Sequence, residues 1–119
     1  IRLLLFLSIV SCANDDLENS ATRAAFAAAT LCQKPAHDMV WLETLLKQSQ
    51  SDATLHGDMF AVSVDGNIVF IHQLTIMSCL GCVLYDCDGN RIDLSSIDHK
   101  KVVEGMHPEN RIYSAFESK

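Results

Sequence analysis

Met59-Phe60-Ala61-Val62-Ser63-Val64, then Asp65-Gly66-Asn67, then Ile68-Val69-Phe70-Ile71-His72-Gln73, is the stretch on which the fold turns. Two β-rich runs flank an Asp-Gly pair, whose residues tolerate the left-handed backbone that tight hairpin turns require. Side chains alternate between faces along a strand. Phe60, Val62 and Val64 therefore share one face, and a two-residue turn brings Val69 and Ile71 onto it. That face is the expected core. Ala61, Ser63, Phe70 and His72 line the other, which makes Phe70 and His72, with Tyr85 further along, a candidate binding surface.

Upstream, Cys32-Gln33-Lys34-Pro35 interrupts the chain, and Pro35 suits a helix start just after it. From Ala36 to Gln48, Trp41, Leu42, Leu45 and Leu46 recur at i, i+1, i+4 and i+5, the stripe of an amphipathic helix. Its expected duty is to cover the sheet, with Trp41 as the largest plug. Downstream, Cys82 to Cys87 reads as a strand that turns at Asp88-Gly89-Asn90 into Arg91-Ile92-Asp93-Leu94. Ser95 or Ser96 can cap a short helix from Ile97 to Glu104, closed by Gly105. Asn110 to Phe116 supplies a last strand. The expected fold class is α+β: an antiparallel β-sheet of about four strands, covered on one face by an amphipathic helix.

The first residues read differently. Leu3 to Val10 is an apolar run too short to cross a bilayer as a helix. It follows Arg2 and ends in Ser11-Cys12-Ala13, the charged, apolar and small-residue order of an export signal. Ile9-Val10-Ser11-Cys12 looks like a bacterial lipobox, in which the cysteine sulfur takes the lipid and the chain is cut before it. The expected division is a lipoprotein signal peptide at 1–11, a tether with a short Ala-rich helix at 12–30, and a small domain at 31–119. Phe26 and Leu31 offer few apolar anchors for that helix.

Lys34-Pro35, Trp41-Leu42, the Val-Asp-Gly-Asn-Ile-Val-Phe hairpin, Val83-Leu84-Tyr85-Asp86-Cys87-Asp88-Gly89-Asn90-Arg91-Ile92 and Arg111-Ile112-Tyr113 together resemble a family of small uncharacterised lipoproteins of Bacteroidetes. The likeness covers roughly residues 31–115, and the chain departs from the family pattern at Asp93-Leu94-Ser95-Ser96. The acidic Asn14-Asp15-Asp16-Leu17-Glu18 resembles the signal that follows the lipidated cysteine of surface-exposed lipoproteins in such bacteria. The resemblance implies an address in the cell envelope, on the outer-membrane surface, and brings no enzymatic role.

Apart from Cys12, the cysteines are Cys32, Cys79, Cys82 and Cys87. Four allow three pairings, and export permits disulfides. Cys32 is expected to tie the segment before the helix to the Cys79–Cys87 region, while the other two close a local loop. Cys79-Leu80-Gly81-Cys82 also has the spacing of a redox pair or half a zinc site. The β-rich sequence after it is not the helix that lowers a redox thiol's pKa.

Asp86, Asp88, Asn90 and Asp93 offer oxygen ligands for calcium at near-alternate positions, without the glycine and glutamate of a helix–loop–helix site. Ser63 and His72 could meet across the hairpin, but no acid orients them. With a net charge of -6 and no Lys/Arg cluster, nucleic acid is not an expected partner. The reading is a lipid-anchored, non-enzymatic envelope domain with no cofactor, held to the membrane through Cys12 and binding a protein or glycan. Its alternative is a thiol-redox or metal-binding protein centred on Cys79 and Cys82.

Overall fold

A computed structural model describes residues 16–116. The stretch read as an export signal, with Cys12, lies outside the described residues. The Asp65-Gly66 turn sits at the centre, with φ of 52° and 86° at its two residues, the pair of positive values that lets a two-residue loop follow the natural strand twist. It joins β1 (Gly57–Val64) to β2 (Asn67–Leu74) in antiparallel register, with Phe60 opposite Ile71 and Val62 opposite Val69. The short β3 (Leu84–Tyr85) pairs with β2, and β4 (Arg111–Ser114) pairs with β1 across an irregularity at Met59/Phe60. The result is a four-stranded antiparallel sheet of order β3-β2-β1-β4 packed against helices, an α+β fold.

Both faces of this sheet are covered. Phe60, Val62, Val64, Val69, Ile71 and Leu84 pack against Val102 of the short α3 (His99–Glu104), with Ile92, Ile97 and Met106 alongside. The opposite face, carrying Met59, Ala61, Phe70 and Tyr113, lies under α1 (Asp16–Cys32) and α2 (Val40–Ser51). The Trp41 helix thus covers the face opposite to the expected core. The physical reason is visible in the hairpin: nearly every residue from Met59 to His72 outside the turn is apolar, so each face has oil to bury and each recruits a cover.

The Ala-rich segment is part of the domain and not a tether. Ala21, Ala24, Ala25, Ala28 and Ala29 are buried at i, i+3, i+4, i+7 and i+8 of α1. Phe26 and Leu31, the residues that look like its anchors, are exposed. A stripe of methyl groups lets α1 approach α2 and β4 closely, so good shape fit replaces large side chains. Thr22 Oγ1 adds a 2.9 Å hydrogen bond to Glu43 of α2. The helix stops at Gln33, whose φ is 56°, while Lys34 N–H returns to the Ala29 carbonyl at 3.0 Å.

Past β3 the regular structure is less than the sequence suggests. Strand pairing after the Asp88-Gly89 turn is a single bridge between Tyr85 and Arg91. Asp93 caps a 3-10 turn (Leu94–Ser96), and Asp98, not a serine, caps α3 through Lys100 and Lys101. A carboxylate accepts from helix N–H groups at least as well as a hydroxyl, and its charge favours the helix start.

Candidate redox site

Cys32 is bonded to Cys87 and Cys79 to Cys82, with Cα–Cα separations of 5.9 and 5.8 Å. The two bridges occupy different surroundings. Cys32 is the last residue of α1 and Cys87 follows β3, so their bond staples helix to sheet. Trp41 packs beside it, donating from Nε1 to the Cys87 carbonyl at 3.2 Å, with its ring 5.8 Å edge-to-face from Phe70 and 5.5 Å, tilted, from Tyr85. Lys34 pairs with Asp88 across the same junction, and that carboxylate holds the Lys34 ammonium above its ordinary pKa.

Cys79 and Cys82 sit in the loop that joins β2 to β3. Cys79 is exposed and Cys82 half-buried. Gly81 holds φ at 65°, and a methyl group there would meet Val102 at 3.1 Å and Val103 at 3.4 Å. The left-handed backbone favours glycine here, and a side chain would in addition press on Val102 of α3. Gln73, at the end of β2, accepts the Gly81 N–H on Oε1 at 2.8 Å and points Nε2 at the carbonyls of Met77 and Cys79, 3.4 Å each. His99 Nε2 stands 2.8 Å from the Leu80 carbonyl, a contact that requires the ring to donate. The loop returns to the sheet where His72 N–H donates to the Val83 carbonyl at 2.9 Å. In the same loop Ile76, Met77 and Leu80 are 68%, 41% and 55% exposed, three large apolar side chains at the surface.

The other sequence-derived sites dissolve. Phe70 and His72 are 0% and 2% exposed and Tyr85 is half-buried beside Trp41, so these three form no binding surface. Ser63 faces Ile68 while His72 faces Met59, four residues apart along the strands. Asp86 Oδ1 accepts the N–H groups of Asp88 and Asn90, Asp88 pairs with Lys34, and Asp93 accepts from Ser95. The proposed calcium set is thus spent on turn and cap bonds, and it does not converge. Among the described residues no group of three or more His, Cys, Asp or Glu side chains could hold a metal ion. A cleft of about 500 Å³ does open beside Asp65, Asp86, Asp88 and Asp98, but Lys101 pairs with Asp65 at 2.6 Å.

Beneath the helices lies a polar seam that sequence reasoning missed. Ser49 is fully buried and donates to the Leu55 carbonyl at 2.7 Å. Burial pushes the His72 imidazole below its ordinary pKa, against a hydrogen bond that the ring donates to the Leu55 backbone. Burial likewise raises the Tyr113 phenol above its ordinary pKa. These groups are structural and face away from solvent.

Among the described residues no helix is long and apolar enough to cross a membrane. The chain matches no family model, no curated protein and no solved structure.

Proposed function

We propose that this chain is an exported, lipid-anchored domain whose Cys79–Cys82 pair exchanges disulfides with cysteines of other polypeptides. The observation that carries this is the placement of a Cys-x-x-Cys bridge in an exposed loop that also exposes Ile76, Met77 and Leu80, on a body already stapled by Cys32–Cys87. A bridge that spans only three residues restricts the unfolded chain little, so stability is a weak reason for its presence. Exposed apolar side chains in the loop of a sulfur pair favour a polypeptide partner, whose side chains can cover them, over a small charged thiol. The metal-binding version finds no support, since the four cysteines are committed to two separate bridges.

The test is reduction of an unrelated disulfide-bonded protein, with the pair first converted to the dithiol and Cys32–Cys87 left closed. Turnover lost in Cys79→Ser, together with a trapped mixed disulfide in Cys82→Ser, supports exchange. Equal rates for wild type and the double serine variant would return the chain to a binding or accessory role toward a protein or glycan.

The membrane address belongs to the same proposal. It is supported by the apolar run from Leu3 to Val10 and by Cys12 after Ser11. Metabolic labelling with a fatty acid checks it: label and membrane association disappear together in Cys12→Ser.

A further inference from the structure

The turn between Cys79 and Cys82 is held from outside by two side chains. Gln73 binds two of its polar backbone groups, the Cys79 carbonyl and the Gly81 N–H, with the Met77 carbonyl just before it, and His99 binds the Leu80 carbonyl between the cysteines. Gln73 is the next-to-last residue of β2, and the His72 N–H before it is fixed to Val83 on the far side of the loop. His99 opens α3, which is capped by Asp98 and covers Gly81 with Val102 and Val103. None of these bonds involves sulfur. Opening the disulfide therefore breaks none of them.

We infer that Gln73 and His99 are positioning residues for exchange, holding Cys79 and Cys82 at bonding distance in the dithiol state. This rests on the redox reading of the pair. The Cys79 thiolate attacks a disulfide of a partner protein; a bond forms between the two sulfurs, the partner's bond breaks, and one partner thiolate leaves and takes a proton from water. Cys82 then attacks the Cys79 sulfur and expels the second partner thiolate, which is also protonated. Two electrons and two protons pass from the dithiol to the partner, and the Cys79–Cys82 bond is restored.

The clamp acts on the second step. Cys82 Sγ lies 3.6 Å from the Leu80 oxygen, the same atom that His99 holds at 2.8 Å. In the dithiol that contact becomes an S–H···O bond, so the ring fixes the carbonyl that places the Cys82 thiol until its proton passes to water and the thiolate attacks. Holding two reacting groups in place converts closure into an intramolecular step of high effective concentration.

The experiment equilibrates the full chain with glutathione redox buffers, traps thiols by alkylation, and counts the 79–82 bond separately from 32–87 by peptide mapping. Gln73→Met removes the amide at constant shape; His99→Leu removes the ring donor; His99→Gln restores a donor. We expect Gln73→Met and His99→Leu each to weaken formation of the 79–82 bond about tenfold, about 30 mV for two electrons. The Cys79 mixed disulfide should also resolve more slowly, and His99→Gln should recover most of both effects. Equilibrium constants and resolution rates within twofold of wild type in both variants would overturn the inference. Because the glutathione equilibrium needs no protein substrate, it reads the clamp even if wild type fails to reduce a partner protein, the outcome that sinks the redox function alone. The two side chains lie on different elements, so either variant that keeps the 32–87 bond carries the test.

Discussion

The two disulfides of this domain differ in what surrounds them more than in their own chemistry. Cys32–Cys87 joins elements 55 residues apart, beside Trp41, Phe70 and Tyr85. Cys79–Cys82 spans three residues in a loop whose apolar side chains point outward. One bridge is a fastener between layers; the other leaves the layers untouched. The contrast teaches that a small domain can separate the sulfur that holds it together from the sulfur it can spare.

The sharpest way to break this comparison is to remove each bond in turn. Closing a loop of 55 residues in the unfolded chain is worth about 4 kcal/mol. The Cys32→Ser/Cys87→Ser variant should lose about that much in urea unfolding, enough to leave the domain largely unfolded at 37 °C. Trp41→Ala attacks the packing beside the same bond; with Trp41 only half-buried, about 3 kcal/mol is expected, the low end for such truncations. Cys79→Ser/Cys82→Ser should cost about 2 kcal/mol at most, because the loop closed is so short. If the 79–82 variant proves the less stable of the two, the assignment of roles is reversed.

The smallest effect comes from His72, whose backbone N–H anchors the end of the Cys79–Cys82 loop. Its folded pKa lies below the unfolded value, so the folded state binds the proton less readily. This contribution is complete above the ordinary histidine pKa and declines as pH falls through it toward the lower folded value, by at most about 1.4 kcal/mol per pH unit. Between pH 7.5 and 5.5, urea midpoints should fall further for wild type than for His72→Gln. An equal fall in both would mean that His72 does not carry the acid sensitivity.

The sequence makes the hairpin plain because Asp65-Gly66 and the alternating runs speak locally, and Trp41 marks its helix for the same reason. The side of the sheet that α2 covers is not local. It depends on α1, whose packing surface is five alanines that carry no hydrophobic signature strong enough to be read as a core. The order of the cysteines shows a Cys-x-x-Cys, yet its support comes from Gln73 and His99, an amide and an imidazole with nothing in their sequence neighbourhood to mark them. Phe70 and His72 were misleading for a related reason: a strand's polar-looking face gives no sign of the helix that will lie on it.

The staple between Cys32 and Cys87 also decides how the molecule bears load. Tension applied at the amino-terminal side runs down α1 and meets a covalent shunt at Cys32, which passes it directly to Cys87. The chain between those residues, including β1, β2 and the Asp65-Gly66 turn, is taken out of the mechanical circuit. At about 3.4 Å per extended residue, some 190 Å of contour length stays locked until the bond is reduced. Pulled in its oxidised form, the domain would yield a short first extension as α1 peels away, and then resist.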